Sequence, residues 1–227
     1  MAPFDFALDR ELWRWTPHDM SLHITRTPWV AEPVSIELAE KVSEPVHVRR
    51  AIRNLQAVEP EVLAYACTSG SFVYGLAGEQ KLTTAMRRAG APTAITTSGA
   101  LLQAVKALRV HRLVVITPYV ESVTVRLRDF LSEGGVETVS SEQLGLHGNI
   151  WKVPYETTAQ LIRDADVPQA QAVFVSCTNL PTFDIIEPLE RELRKPVLTA
   201  NQVTMWAALR RIGAAQVKAR QKLLRAR

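Results

Sequence analysis

Residues 61–96, EVLAYACTSGSFVYGLAGEQKLTTAMRRAGAPTAIT, hold a short apolar run ending in Cys67-Thr68, an Ala- and Leu-rich stretch, and a second run closing on Ile95-Thr96. Residues 172–199, AVFVSCTNLPTFDIIEPLERELRKPVLT, repeat that order. A run ends in Cys177-Thr178, a helical stretch follows, and Pro196-Val197-Leu198-Thr199 closes the unit. The Cys-to-Pro spacings, 25 and 19 residues, differ by little more than a helical turn. Short, nearly continuous apolar runs suit strands of a parallel sheet covered on both faces. Helices between them imply βαβ units with right-handed crossovers. The same unit occurs twice, so two related halves are expected.

Working outward, strands are predicted over 21–27, 61–67, 92–96, 112–117, 172–177 and 196–199. Helices are predicted over about 43–57, 77–89, 98–109, 120–133, 154–165, 184–194 and 201–212. Arg87, Arg88 and Gly90 have the order of a helix C-terminus, as do Arg210, Arg211 and Gly213. The expected fold is α/β: two pseudo-symmetric, parallel-sheet, Rossmann-like halves with the active site in the cleft between them. Residues 1–97 with 200–213 form the first half, 98–199 the second, and 214–227 a basic C-terminal tail.

Composition narrows the function. The 227 residues are 47% hydrophobic and 22% charged, with 10 Gly and 13 Pro, which excludes disorder and collagen-like repeats. Two cysteines cannot staple a chain of this size. No apolar run reaches the roughly 20 residues that span a bilayer. The start, MAPFDFALDRELW, has acids where a signal peptide needs bases, so a reducing cytoplasm is the expected compartment. The net charge is +4, but seven bases lie from Arg210 onward and no acid follows Glu192, leaving the first 209 residues at about −3. A solvated, frayed tail explains this better than a nucleic-acid surface. Residues 214–227 are therefore expected to be dispensable.

The two cysteines carry the chemistry. Each falls at the carboxyl end of a buried strand, the edge where open α/β sheets bind ligands. A buried thiol is otherwise a small hydrophobe, but the repeated Cys-Thr favours catalysis. Backbone N–H groups at the following turns are expected to lower the thiol pKa and bind an anion. Thr68, Ser69 and Ser71 add hydroxyls beside Cys67; Thr178 and Asn179 add donors beside Cys177. Across a substrate, the pair would be base and acid, or nucleophile and proton donor. Tyr119, in Thr117-Pro118-Tyr119, reaches the same edge with a hydroxyl to donate, or packs as a turn residue. Asn149, in Leu146-His147-Gly148-Asn149, reaches a ligand or simply closes a turn. The five histidines show no metal spacing, and no phosphate loop or GxSxG elbow is present. No metal or cofactor is called for.

These residues resemble the aspartate/glutamate racemase superfamily, most closely its maleate cis-trans isomerase and arylmalonate decarboxylase branch. The matching pieces are ACTSGSF at 66–72, Thr117-Pro118-Tyr119, Asn149, SCTNLP at 176–181, and KPVLTANQ at 195–202 with Trp206. The resemblance covers about residues 60–213. It implies two α/β halves, no cofactor, and a homo-oligomer acting on a small-molecule carboxylate, not on nucleic acid or membrane. In the isomerase branch it implies that Cys67 adds as a thiolate to maleate's double bond. Rotation in a succinyl-cysteine adduct follows, and Cys177 handles the proton. Thr68, Ser69, Tyr119, Asn149, Thr178 and Asn179 would hold the carboxylates. A two-cysteine racemase of an amino acid or hydantoin uses the same residues. The decarboxylase branch typically has Gly in place of the first cysteine. A non-catalytic carboxylate-binding protein on this scaffold is the alternative outside enzymes.

The N-terminus departs from the pattern. Isomerases of this branch begin with an apolar strand running into a carboxylate-binding Asn; here Pro3 precedes Phe4-Asp5-Phe6-Ala7. A missing first strand would expose ladder groups on its neighbours. Asp5 would repel an anion, and Phe4, Phe6, Trp13 and Trp15 either line a pocket for an apolar group or pack the N-terminal helix.

Overall fold

A computed structural model describes residues 1–217 and 219–226; the tail bases Lys218 and Arg227 lie outside the described residues. In chain order the elements are α1 (Phe6–Leu12), α2 (Ile36–Val42), α3 (Pro45–Leu55), β1 (Leu63–Tyr65), α4 (Thr68–Phe72), α5 (Gly75–Arg88), β2 (Ala94–Thr96) and α6 (Thr97–Ala107). There follow β3 (Arg112–Thr117), α7 (Glu121–Glu133), β4 (Glu137–Gln143), α8 (Tyr155–Ala165), β5 (Ala172–Val175), α9 (Phe183–Leu193), β6 (Val197–Thr199) and α10 (Ala200–Arg211). Strands β1 and β2 pair in parallel, with Tyr65 opposite Thr96. The other four form a parallel sheet in the order β4-β3-β5-β6. Leu113 to Ile116 and Ala172 to Val175 are wholly buried at its centre. Helices on both faces exclude water there, which is why these strands read as unbroken apolar runs.

The repeat is visible in the helices that leave each sheet. Thr96 ends β2 and caps α6 by accepting from the Gly99 N–H; Thr199 ends β6 and caps α10 by accepting from the Gln202 N–H. The two helices lie against each other, joined by a buried 2.8 Å hydrogen bond between the Thr97 and Thr204 hydroxyls. Gly90 and Gly213, at φ +102° and +68°, close α5 and α10 as their positions after paired arginines suggest.

Three expectations are corrected. Residues 21–27 form no strand. They are extended and make a single parallel bridge, Arg26 to Ala2. The Ala2 N–H donates to the Thr25 carbonyl at 3.1 Å and the Thr27 N–H to the Ala2 carbonyl at 3.0 Å. On the other side the Met1 ammonium donates to the Ala64 carbonyl at 2.9 Å, and the Met1 carbonyl accepts from the Ala66 N–H at 2.8 Å. Two residues thus stand in for a strand beside β1 and satisfy the ladder groups of Ala64 and Ala66. Alongside lies a cavity of about 360 Å³ lined by Leu8, Leu12, Leu63, Met205 and Leu209 among others.

Strand β4 was not expected from its sequence, ETVSSEQ. It is an edge strand with no fully buried residue, so its polar side chains carry no apolar signal. The tail is not solvated. Leu223 and Leu224 are buried, and Gln221 accepts from the Trp15 indole N–H and from the Gln202 amide, each at 2.9 Å. Glu190 accepts from the Lys222 N–H and Glu187 from the Arg220 N–H, both at 2.8 Å. Arg220 and Arg225 project from a segment whose intervening Gln221, Leu223 and Leu224 fill the core, a pattern too short to show periodicity. Among the described residues, no helix is long and apolar enough to cross a membrane.

Candidate active site

Cys67 follows β1 and is the N-cap residue of α4; Cys177 follows β5. Both are buried and unbridged. The Asn179 N–H donates to the Cys177 sulfur at 3.4 Å, and the Cys67 sulfur sits against Gly70 in the first turn of α4. Cys177 has φ +88°, a left-handed conformation that side-chain-bearing residues rarely adopt and that costs about 1–3 kcal/mol. Strain of this kind persists where surrounding structure fixes it. Here Asn201 donates to the Thr178 carbonyl at 3.1 Å, and Asn179 is tied to α1.

The expectation of low-pKa thiols is not met. Burial pushes Cys67 up to about 12 and Cys177 higher still. Asp5 is the strongest charged influence on both, and it acts in the same direction. The backbone N–H groups pull the other way, together with Ser69 at Cys67 and Tyr119 at Cys177, and lose to desolvation. The resting site therefore holds two neutral S–H groups.

The predicted binding residues divide. Thr68 is buried, and its hydroxyl has no hydrogen-bond partner among the described residues. An unpaired buried donor is costly unless something else completes it, which makes Thr68 the best-placed ligand group beside Cys67. Ser69 Oγ lies 3.8 Å from the Cys67 sulfur. Ser71 is spent elsewhere, donating to the Cys67 carbonyl at 2.7 Å and meeting Ser98 at 2.7 Å. Tyr119 is buried, and its oxygen accepts from the hydroxyl of Ser176, the residue before Cys177, at 3.3 Å. Asn179 uses its side-chain oxygen to cap α1, accepting from the Phe6 and Ala7 N–H groups at 2.8 and 3.4 Å. Thr178 donates to Asp5. Asn149 is exposed, at φ +54°, on a loop that touches α1 through Trp151; it makes no side-chain hydrogen bond among the described residues. Trp151 meets Phe6 edge to face at 5.5 Å, and both remain half-exposed.

Two site residues escaped the list of candidates. The Tyr65 hydroxyl donates to the Val42 carbonyl at 2.9 Å and, with the Cys67 sulfur, flanks Gly70. Its alternation within a buried strand offered only a core reading. Asp5 drew notice as an anion-repelling departure, yet nothing local placed it against Thr178, beside Cys177. A Cβ at Gly70 would run into the Tyr65 hydroxyl and come within 3.3 Å of the Cys67 sulfur, so only glycine fits between them. Among the described residues no group of three or more His, Cys, Asp or Glu is placed to hold a metal.

Comparison with known proteins agrees with this geometry. The family model described as arylmalonate decarboxylase matches residues 34–224. The chain belongs to the arylmalonate decarboxylase family. Arylmalonate decarboxylase of Bordetella bronchiseptica is 34% identical over 165 residues, covering 71% of this chain and 69% of that protein. Maleate isomerase of Geobacillus stearothermophilus is 25% identical over 158 residues, covering 66% and 63%. Among solved structures, the fold matches a Nocardia farcinica maleate cis-trans isomerase mutant with a covalently bound succinylcysteine intermediate. Its TM-score is 0.90 at 23% identity, over 99% of this chain and 96% of that one. A liganded arylmalonate decarboxylase double mutant, with Gly changed to Cys and Cys to Ser, matches with TM-score 0.79 at 31% identity over 84% and 83%. The family thus includes enzymes of two reactions on one two-domain α/β scaffold.

Proposed function

We propose that this family member is a cofactor-independent cis-trans isomerase of a maleate-like unsaturated acid. The observation that carries the reading is the pair of buried thiols after β1 and β5, one beside the Ser69 hydroxyl and the other accepting the Asn179 N–H, with the unpaired Thr68 hydroxyl next to Cys67. A carboxylate held by Thr68, Ser69 and Tyr119 lies between the two sulfurs. Cys67 Sγ bonds to one alkene carbon, and the π electrons move toward the carboxylate on the other. The N–H and O–H donors stabilise that charge. Cys177 gives its proton to this second carbon, and the proton Cys67 loses replaces it. The net step adds S–H across the double bond, so two neutral thiols suffice. The former double bond is then single and rotates. Elimination reverses the transfer: Cys177 gives its proton back to the Cys67 sulfur as the C–S bond breaks, takes the proton from the second carbon in its place, and the trans acid leaves.

The test is proton NMR with maleate, its monoamide and its monomethyl ester under reducing conditions. A trans-alkene product is expected from at least one of them with the wild-type protein and from none with Cys67→Ser. Cys177→Ser should accumulate an adduct on Cys67, seen by intact mass. No trans product and no mass gain with any of the three would sink the reading. The 34% identity to a decarboxylase favours a second one, loss of CO2 from an arylmalonate. Release of CO2 from phenylmalonate, lost in Cys177→Ser but kept in Cys67→Ser, is its signature.

A further inference from the structure

Asp5 is the N-cap residue of α1 but does not cap it. An aspartate there normally accepts from the first N–H groups of its own helix. Asn179, reaching from the loop after Cys177, makes those bonds instead, to Phe6 and Ala7. Asp5 is thereby released, and its carboxylate turns toward the site. Oδ2 accepts from the Thr178 hydroxyl, whereas Oδ1 is in no hydrogen bond among the described residues. Thr178 directly follows Cys177, so this bond holds the carboxylate beside the Cys177 turn, where its charge acts on both thiols. Arg26, whose charge also acts on Asp5, makes no ion pair with it and is engaged with Asp9, with the Pro3 carbonyl at 2.6 Å, and over the Phe4 ring at 5.9 Å.

One end of a substrate lying between the thiols meets neutral donors: the Thr68 and Ser69 hydroxyls and Tyr119. The other end meets a carboxylate oxygen with an open acceptor position. Asp5 is partly buried, which raises its pKa to about 6, so at pH 7.5 it is still mostly ionised, and a second carboxylate facing it is repelled. An N–H donor opposite Asp5 completes its hydrogen bonding. Resting on the isomerase reading, we infer that Asp5 selects a substrate whose far end is a carboxamide, so the site takes the monoamide of a cis-unsaturated diacid in preference to the diacid. The remaining carboxylate is the one that accepts charge as Cys67 adds.

Saturated analogues separate this selection from the reaction, because they have no double bond to attack. Dissociation constants for succinamate and succinate are measured by ligand-observed NMR titration at pH 7.5 on the wild type, Asp5→Asn and Asp5→Glu. The wild type should bind succinamate at least tenfold more tightly than succinate. Asp5→Asn should bring the two within about threefold, through a gain for succinate, and Asp5→Glu should keep the wild-type order. Equal or tighter binding of succinate by the wild type overturns the inference, even should Asp5→Asn fail to fold. So does an unchanged ratio in a folded Asp5→Asn, or binding of neither analogue. Turnover of maleamate and maleate is followed in parallel. Absence of any trans product alongside the expected binding ratio would overturn the isomerase reading while leaving the role of Asp5 standing.

Discussion

Cys67 shows how environment overrules a motif. A thiol at a helix start ordinarily has a lowered pKa, yet here the residues that bury it, with Asp5 opposite, raise it from 9.0 to about 12. A raised pKa means the folded state holds the proton more tightly than the unfolded state. Stability from the neutral thiol is therefore complete below about pH 9 and is lost as pH rises through 9 toward 12. Thermal melts should show the wild type losing more stability between pH 8 and 10.5 than Cys67→Ala; parallel curves would contradict the assignment. Iodoacetamide should alkylate Cys67 in the resting protein more slowly than a free thiol at pH 7.5. A fast reaction would mean that the sulfur is exposed or ionised. The identity of the two catalytic candidates was legible from the repeated Cys-Thr. Their protonation state was not, because desolvation is set by residues distant in sequence.

At the scale of elements, the seven-residue helix α1 joins parts of the chain that are remote in sequence. Glu11, on its last turn, is buried and accepts from the Thr182 and Phe183 N–H groups, from the Thr182 hydroxyl at 3.1 Å and from Asn201 at 2.9 Å. It supplies from outside the cap that α9 lacks in its own sequence. Asn179 returns the favour at the start of α1. Glu11→Ala would leave the Thr182 and Phe183 N–H groups unpaired in the interior and take one acceptor from the Thr182 hydroxyl and one from the Asn201 amide. A loss of about 2–4 kcal/mol is expected, or about 5–15 °C in melting temperature. Glu11→Gln should retain part of it. A change under 2 °C in Glu11→Ala would show that water replaces the carboxylate. Neither cap was legible, since both partners lie more than 170 residues apart.

Across the whole molecule, the C-terminal segment closes the core that the two sheets and α10 leave open. Deleting residues 220–227 removes Leu223 and Leu224, each contributing about 1.5–3 kcal/mol when fully buried. It also strips Trp15 and Gln202 of their common partner, Gln221. The truncated protein should melt more than 10 °C lower or fail to accumulate in soluble form. An unchanged melting temperature would restore the view of a dispensable tail. By itself the sequence determined the α/β class, three of the four strands of the larger sheet, most helices and the paired thiols. Apolar runs, Thr caps and the repeat are local signals that survive without tertiary context. The tertiary structure alone decided what those thiols face. Asp5, Tyr65, Glu11 and Gln221 gain their roles from contacts between distant segments, and burial there sets both their hydrogen bonding and the charge each site tolerates.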